Sequence, residues 1–303
     1  MAKKTPKDFT RSDFIKAFCT VGIASVAVPG IFSACTSHNS AESGEKVTLL
    51  TTDGKIVTTD KSNLESCCAP VSPAEARIGI PGKKFVMVVD LAKCRNARKC
   101  VESCEKAHHI AHDRPFIKVL KINDNKKSSP YWMPKKCFHC DNPPCVKVCP
   151  VGATFKRSDG IVLIDNERCI GCRFCMAACP YSARVFNWGA PKNPEDYHEA
   201  YSPETSTPSK IGTVEKCDFC PDKLRQGKLP HCILACPNGT LYFGDENDDV
   251  VTNGEESLRL SELLRDKAGY RYMESLGTEP RVYYLPPVER VFPFKDEENI
   301  KNA

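Results

Sequence analysis

Fifteen of the nineteen cysteines in this 303-residue chain fall into four consecutive groups between Cys94 and Cys236, and three of the groups end in Cys-Pro. The third group reads Cys169-Ile-Gly-Cys172-Arg-Phe-Cys175-Met-Ala-Ala-Cys179-Pro180. The second stretches the middle gap, with Cys137 and Cys140 followed by Cys145 and Cys149-Pro150. The fourth opens it wider, with Cys217 and Cys220 answered by Cys232 and Cys236-Pro237. The first, Cys94, Cys100 and Cys104, carries Ala97 where its second cysteine would stand. The spacing C-x2-C-x2-C-x3-C-P is that of thiolates holding iron-sulfur clusters, three on one cluster and the fourth on its neighbour. The groups therefore work in pairs, and Ala97 offers iron no lone pair.

Zinc and disulfides are the rival readings. Zinc sites close with four ligands from two short pairs, which explains neither the third and fourth cysteine of each group nor the proline after it. Disulfides need no C-x2-C spacing and belong to small, core-poor domains, whereas 303 residues at 41% hydrophobic composition can bury a core. Only Cys67 and Cys68, outside every group, read naturally as disulfide cysteines.

The elements that must position these loops are short. An apolar strand, Lys84-Phe-Val-Met-Val-Val-Asp-Leu, runs into the first group, and Gly160-Ile-Val-Leu-Ile-Asp runs into the third. Strand, cysteine loop and short helix repeat as a ferredoxin half-module. The expected fold class is α+β: two interleaved bacterial-ferredoxin-like modules with short strands and helices, loop-rich. Residues 131–190 form the inner module, and 84–130 with 191–250 the outer one. Residues 36–83 are a polar connector in which Asp53-Gly54, between β-branched runs, predicts a hairpin. Residues 251–303 are expected as a C-terminal helix, Leu258 to Leu264, and an extended docking tail.

Residues 1–35 read as an export segment. Lys3, Lys4, Lys7, Arg11 and Lys16 precede an uncharged stretch that ends in Ile31-Phe32-Ser33-Ala34-Cys35, which resembles a signal peptide with a lipoprotein cleavage site at a lipidated Cys35. An uncleaved anchor helix is the alternative, although Pro29-Gly30 interrupt it. Both place the chain at a membrane surface. Thr10 to Lys16 resembles a twin-arginine signal for folded export, with Ser12 in place of the second arginine.

The stretch from Asp141-Asn-Pro-Pro-Cys through Cys149-Pro-Val-Gly-Ala-Thr154, with Cys179-Pro-Tyr-Ser-Ala-Arg-Val-Phe-Asn-Trp188 and Leu276-Gly-Thr-Glu-Pro-Arg-Val-Tyr-Tyr284, resembles the four-cluster electron-transfer subunit of complex iron-sulfur molybdoenzymes. Within that family it is most similar to the exported iron-sulfur subunit of the sulfite-reduction-associated membrane complex. The resemblance covers about Phe85 to Leu285. It implies a subunit passing electrons between a polytopic quinone-reactive membrane protein and a catalytic or haem-bearing (cytochrome) partner, on the periplasmic side of the cytoplasmic membrane. It further implies crossed ligation: Cys137, Cys140 and Cys145 with Cys179; Cys169, Cys172 and Cys175 with Cys149; Cys217, Cys220 and Cys232 with Cys104. Cys94, Cys100 and Cys236 remain for a site with three protein ligands. The implied complement is three 4Fe-4S clusters and one 3Fe-4S cluster at the Ala97 site, with a 4Fe-4S centre completed by another ligand, or an empty site, as alternatives. Arg95, Arg98 and Lys99 in this loop are expected to raise its potential.

His139, between two cysteines, is expected to hydrogen-bond near a cluster without ligating it. His108, His109 and His112 are expected on a polar helical face, and Trp188 as a packing residue. The formal charge of +5 falls to +2 without residues 1–34, and four cofactors at about −2 each bring it near −6. That excludes the basic surface of a nucleic-acid-binding protein. No dinucleotide fingerprint, phosphate loop or nucleophile-base set is present, which favours an electron relay over an enzyme using a cluster directly or a structural metal scaffold.

Overall fold

The computed structural model describes the backbone of residues 46–50 and 56–60, and residues 71–110, 113–123, 129–189, 201–204 and 209–288 in full. The export segment with Cys35, the Cys67 and Cys68 pair, His112 and the tail after residue 288 lie outside the described residues.

β1 (Lys46–Leu50) pairs antiparallel with β2 (Ile56–Asp60), Lys46 opposite Asp60, giving the hairpin that Asp53-Gly54 predicts. The chain continues through α1 (Pro73–Ile78), β3 (Phe85–Asp90), α2 (Lys99–Ala107), β4 (Lys118–Ile122), β5 (Tyr131–Lys135) and α3 (Pro144–Lys147). Then come β6 (Thr154–Lys156), β7 (Val162–Ile164), α4 (Phe174–Ala177), β8 (Val185–Phe186), β9 (Val214–Glu215), α5 (Pro221–Arg225) and α6 (His231–Leu234). The last elements are β10 (Leu241–Asp245), β11 (Val250–Thr252), β12 (Ser257–Arg259), α7 (Leu260–Asp266), β13 (Tyr270–Arg271) and β14 (Val282–Leu285). The fold is α+β and loop-rich, as short ferredoxin-like elements require.

One sheet of six strands runs β12-β11-β10-β3-β14-β13, with β14 parallel to β3 and every other pairing antiparallel. β3 is its centre and is buried along its whole length. An uninterrupted apolar run is what a strand covered on both faces needs. Phe85, Met87 and Val89 face the core that holds the cysteines, while Val86 and Val88 pack with Tyr242, Val251 and Leu285 beneath Leu260 and Leu263 of α7. Among the described residues β7, the expected counterpart of β3, pairs with β6 alone. The two half-modules therefore share a loop pattern but not a sheet.

Two expectations are corrected. The helix expected over Leu258 to Leu264 begins at Leu260, because Leu258 pairs with Val251 in the β11-β12 ladder. The segment from 251, expected as helix and docking tail, also supplies strands β12, β13 and β14 to the main sheet as far as Leu285.

Arg281 ties this sheet to the second cysteine group. Its side chain is 2% exposed and reaches Asp141 and Glu246, each at 2.9 Å, while Nε donates to the Phe85 carbonyl at 2.7 Å. Asp141 keeps Lys156 and Glu246 keeps Lys84 if the arginine is removed, so the loss is of charged hydrogen bonds rather than of a stranded carboxylate. Arg281→Met is expected to destabilise the fold by about 1.5–3 kcal/mol, read as a lower denaturant midpoint at unchanged slope. An unchanged midpoint would show that the arginine is not a brace.

Candidate metal centres

The four cysteine groups share one backbone device. The residue before each second cysteine is left-handed: His139 (φ 45°), Gly171 (φ 69°) and Phe219 (φ 68°), and likewise Asn96 (φ 58°) before Ala97. This turn reverses the chain inside C-x2-C so that both sulfurs address one volume. For a non-glycine residue it costs about 1–2 kcal/mol. At Gly171 a Cβ would also stand 2.1 Å from the Gly212 carbonyl oxygen, so nothing larger fits. The next cysteine of each group rides a helix: Cys100 on α2, Cys145 on α3, Cys175 on α4 and Cys232 on α6. The last cysteines of the second and fourth groups then turn back, with Cys149 Sγ accepting from the Thr154 amide at 3.5 Å and Cys236 Sγ from the Thr240 amide at 3.4 Å.

Sulfurs from different groups meet. Cys137, Cys140, Cys145 and Cys179 line one recess of about 360 Å³, and Cys149, Cys169, Cys172 and Cys175 line another of about 310 Å³. A third, of about 330 Å³, is lined by Cys94, Cys100 and Cys236 together with Asn96, Ala97 and Arg98. Cys104, Cys217, Cys220 and Cys232 form the remaining set, close enough that their charges act on one another. All fifteen are free of disulfides.

Burial pushes the Cys100, Cys140 and Cys217 thiols up to about 12, and lifts Cys104 and Cys220 well above the ordinary range. Burial also raises Cys149, but the amides of Thr154, Val151 and Ala153 outweigh it and bring this thiol below its ordinary value. Without metal the thiols so raised would be neutral at physiological pH. Yet Lys136, Arg184 and Lys216 are 1%, 4% and 5% exposed, and among the described residues none of them pairs with a carboxylate. Arg184 Nη2 is buried without a hydrogen-bond partner. Buried cations need buried anions, and metal-bound thiolates and sulfide supply them. Both the donor set and its counter-charges therefore fit iron-sulfur clusters.

Sequence reasoning missed these three cations. The signal was present, since Lys136 and Lys216 each immediately precede the first cysteine of a group. His139 behaves as expected. It is fully buried, its Nδ1 accepts from the Val162 amide at 3.0 Å, and its ring stacks on Phe219 at 3.7 Å. Burial, then the charges of Lys216, Lys156 and Lys136, hold it well below the ordinary histidine range, so it is neutral with its proton on Nε2.

His108 and His109 do not lie on a helical face. α2 stops at Ala107, His108 is its C-cap and His109 is left-handed (φ 51°). His108 turns inward, with Nε2 3.4 Å from Cys220 Sγ and Nδ1 3.6 Å from Asp218. Trp188 is 68% exposed, so it is a surface residue and not core packing; it touches Phe186 and the Arg173 guanidinium. Arg95, Arg98 and Lys99 are exposed, and Lys99 pairs with Glu102 at 2.8 Å.

The sequence matches the 4Fe-4S dicluster domain over residues 129–193 and 203–246. It is 38% identical to the iron-sulfur cluster-binding subunit of menaquinone reductase from Nitratidesulfovibrio vulgaris, over 233 residues, 67% of this chain and 88% of that one. It is also 38% identical to a selenate reductase subunit of Mesobacillus selenatarsenatis, over 67% of this chain and 72% of that one. The iron-sulfur subunit 1 of an Hdr-like menaquinol oxidoreductase from Archaeoglobus fulgidus is 34% identical, over 70% and 86% of the two chains.

Proposed function

Because this chain belongs to the family of 4Fe-4S iron-sulfur subunits of multi-subunit reductases, we propose that it relays electrons between a polytopic quinone-reactive membrane subunit and a catalytic or haem-bearing partner. The observation that carries this reading is the composition of the recesses. Each takes most of its sulfurs from one group and one from another: Cys179 beside Cys137, Cys140 and Cys145; Cys149 beside Cys169, Cys172 and Cys175; Cys236 beside Cys94 and Cys100. Cys104 completes the set of Cys217, Cys220 and Cys232. In this assignment three sets hold 4Fe-4S clusters, and the set around Ala97, with three sulfurs, holds a 3Fe-4S cluster. When bound, these groups supply one-electron carriers. The chain's own part is to hold the thiolates, keep water from the buried sets and present one set to a partner.

That surface set is the one with Cys172, whose side chain is exposed. Ile170, Phe174, Trp188 and Ile211 around it are 61–68% exposed, and an apolar rim beside a near-surface redox site supports docking of a partner subunit there. For location, the basic start, the apolar stretch and Ile31-Phe32-Ser33-Ala34-Cys35 support export and a lipid anchor at Cys35 on the periplasmic face of the cytoplasmic membrane. Among the described residues no helix is long and apolar enough to cross a membrane.

The full chain, purified anaerobically, is expected to be brown, to hold about fifteen iron atoms, and to take electrons from an artificial donor without turning over a sulfur or nitrogen oxyanion. Zinc at near-stoichiometric levels, or sustained turnover by the pure chain, would sink the relay reading. Ala97→Cys restores the C-x2-C-x2-C spacing on a loop that already has its turn. It is expected to abolish the isotropic low-field signal of an oxidised 3Fe-4S centre and to add one iron per chain. A wild-type protein with about sixteen irons and no such signal would mean that another group completes this site. Cys35→Ser is expected to release the mature domain from membranes stripped of partner subunits. Mass spectrometry showing an unmodified Cys35 in the mature protein would reject lipidation.

A further inference from the structure

Three cations without a carboxylate partner stand between the cysteine sets. Lys136 Nζ lies 3.9 Å from Cys232 Sγ and its charge also acts on Cys217 and Cys104 of that set and on Cys100 of the next. Arg184 adjoins Cys145 and Cys137 on one side and Cys175 on the other. Lys216 donates to the Cys217 carbonyl at 2.9 Å and to the Val162 carbonyl, and acts on Cys145 of the neighbouring set. His139 and Phe219 stack across the same junction. The sets thus follow one another from Cys94 and Cys100, to Cys104 and Cys217, to Cys137 and Cys145, to Cys149 and Cys175, with a cation in every gap.

Other buried cations of the fold are neutralised. Lys83 pairs with Asp245, Arg157 with Asp159 and Arg281 with Asp141. Among the described residues no carboxylate comes within ion-pair distance of Lys136, Lys216 or Arg184; the buried Asp218, which faces His108, acts on Lys216 from farther away and offsets part of its charge. Burial also removes the screening by salt that weakens surface charges.

On the cluster reading above, we propose that Lys136, Lys216 and Arg184 are fixed counter-charges, one per gap, that raise the reduction potentials of the two centres each adjoins and weaken repulsion between neighbouring reduced centres. Each one-electron reduction adds a negative charge to a centre already anionic with its thiolates. Two such centres in a low-dielectric interior oppose each other's reduction, and a cation between them favours the reduced form of both. The sequence fixes the placement of the lysines. Lys136 and Lys216 are bonded to the first cysteine of the second and fourth groups; Lys136 reaches the Cys232 sulfur of the fourth group, and the Val162 and Cys217 carbonyls hold the Lys216 amine where its charge acts on Cys145 of the second. Arg184 presents several donors in one plane and can serve sulfurs on two sides at once.

The test is a potentiometric titration, followed by electron paramagnetic resonance, of the full-length holoprotein as wild type, Arg184→Gln, Arg184→Lys and Lys136→Gln, with iron and sulfide counted in each. Arg184→Gln with a full iron load is expected to lower two of the four potentials, changing the oxidised-to-reduced ratio at fixed potential at least tenfold, about 59 mV for a one-electron couple. The other two are expected to hold, and Arg184→Lys to recover most of the shift. Lys136→Gln is expected to lower the potential of the isotropic three-iron signal and of one further centre. A fully loaded Arg184→Gln protein with unmoved potentials would overturn the proposal. So would an equal shift at all four centres, or a lysine variant as low as the glutamine one. If Arg184→Gln loses iron, Lys136→Gln decides: a lowered three-iron potential supports the proposal and an unmoved one overturns it. A wild-type protein without iron would instead remove the cluster reading on which the proposal rests.

Discussion

A thiolate buried away from water and a cation buried away from water are each unfavourable by several kcal/mol alone, and this fold is arranged so that metal lets them satisfy one another. Lys136, Lys216 and Arg184 lie among cysteines of all four sets, most of them buried. Protonated, the sulfurs leave the cations stranded; metallated, they become the anions that the cations lack. Folding and loading are therefore linked through the same groups. The short helices and two-stranded hairpins follow from this, because the cofactors occupy volume that side chains would otherwise have to fill.

The second constraint is in the backbone. A left-handed residue ahead of each second cysteine is unfavourable, and Asn96, His139 and Phe219 accept it without being glycine. Asparagine tolerates this conformation well. His139 and Phe219 are held in it by their mutual stacking and, for His139, by the Val162 amide. Asn96 keeps the same turn although the next residue is Ala97. The first group has therefore lost a sulfur but not the loop that would present it, so its difference from the others is one of ligand chemistry rather than of fold.

What is legible in the sequence is whatever has a fixed spacing. The cysteine groups, the doubly covered strand β3 and the Asp53-Gly54 hairpin all declare themselves within a few residues. Contacts between distant segments do not. Arg281 binds Asp141 and the Phe85 carbonyl, and His108 reaches Cys220, separations that no local pattern encodes. Leu258 is misplaced for a related reason: an apolar residue at helical spacing is equally at home in a ladder, and pairing with Val251 decides the matter. Trp188 reads as a packing residue, whereas its ring lies largely exposed beside Phe186 of the β8-β9 pair. Lys136 and Lys216 are visible as letters, but their burial depends on which sulfurs surround them.

Charge near the centres divides into two kinds with different consequences. Arg95, Arg98 and Lys99 are exposed at the rim of the first set, and Lys99 has Glu102 beside it; salt and water weaken their field there more than that of a buried charge. The buried lysines and Arg184 are shielded from salt, with Asp218 offsetting part of the Lys216 charge. Solvent exposure is the opposing variable, and it is uneven: Cys172 is exposed, while Cys104, Cys217, Cys220 and Cys232 are all buried. A partner covering Ile170, Phe174 and Trp188 would dry the Cys172 set without touching the others. Potentials at the interior of the relay are thus written into the fold, and the one at its surface is completed by assembly.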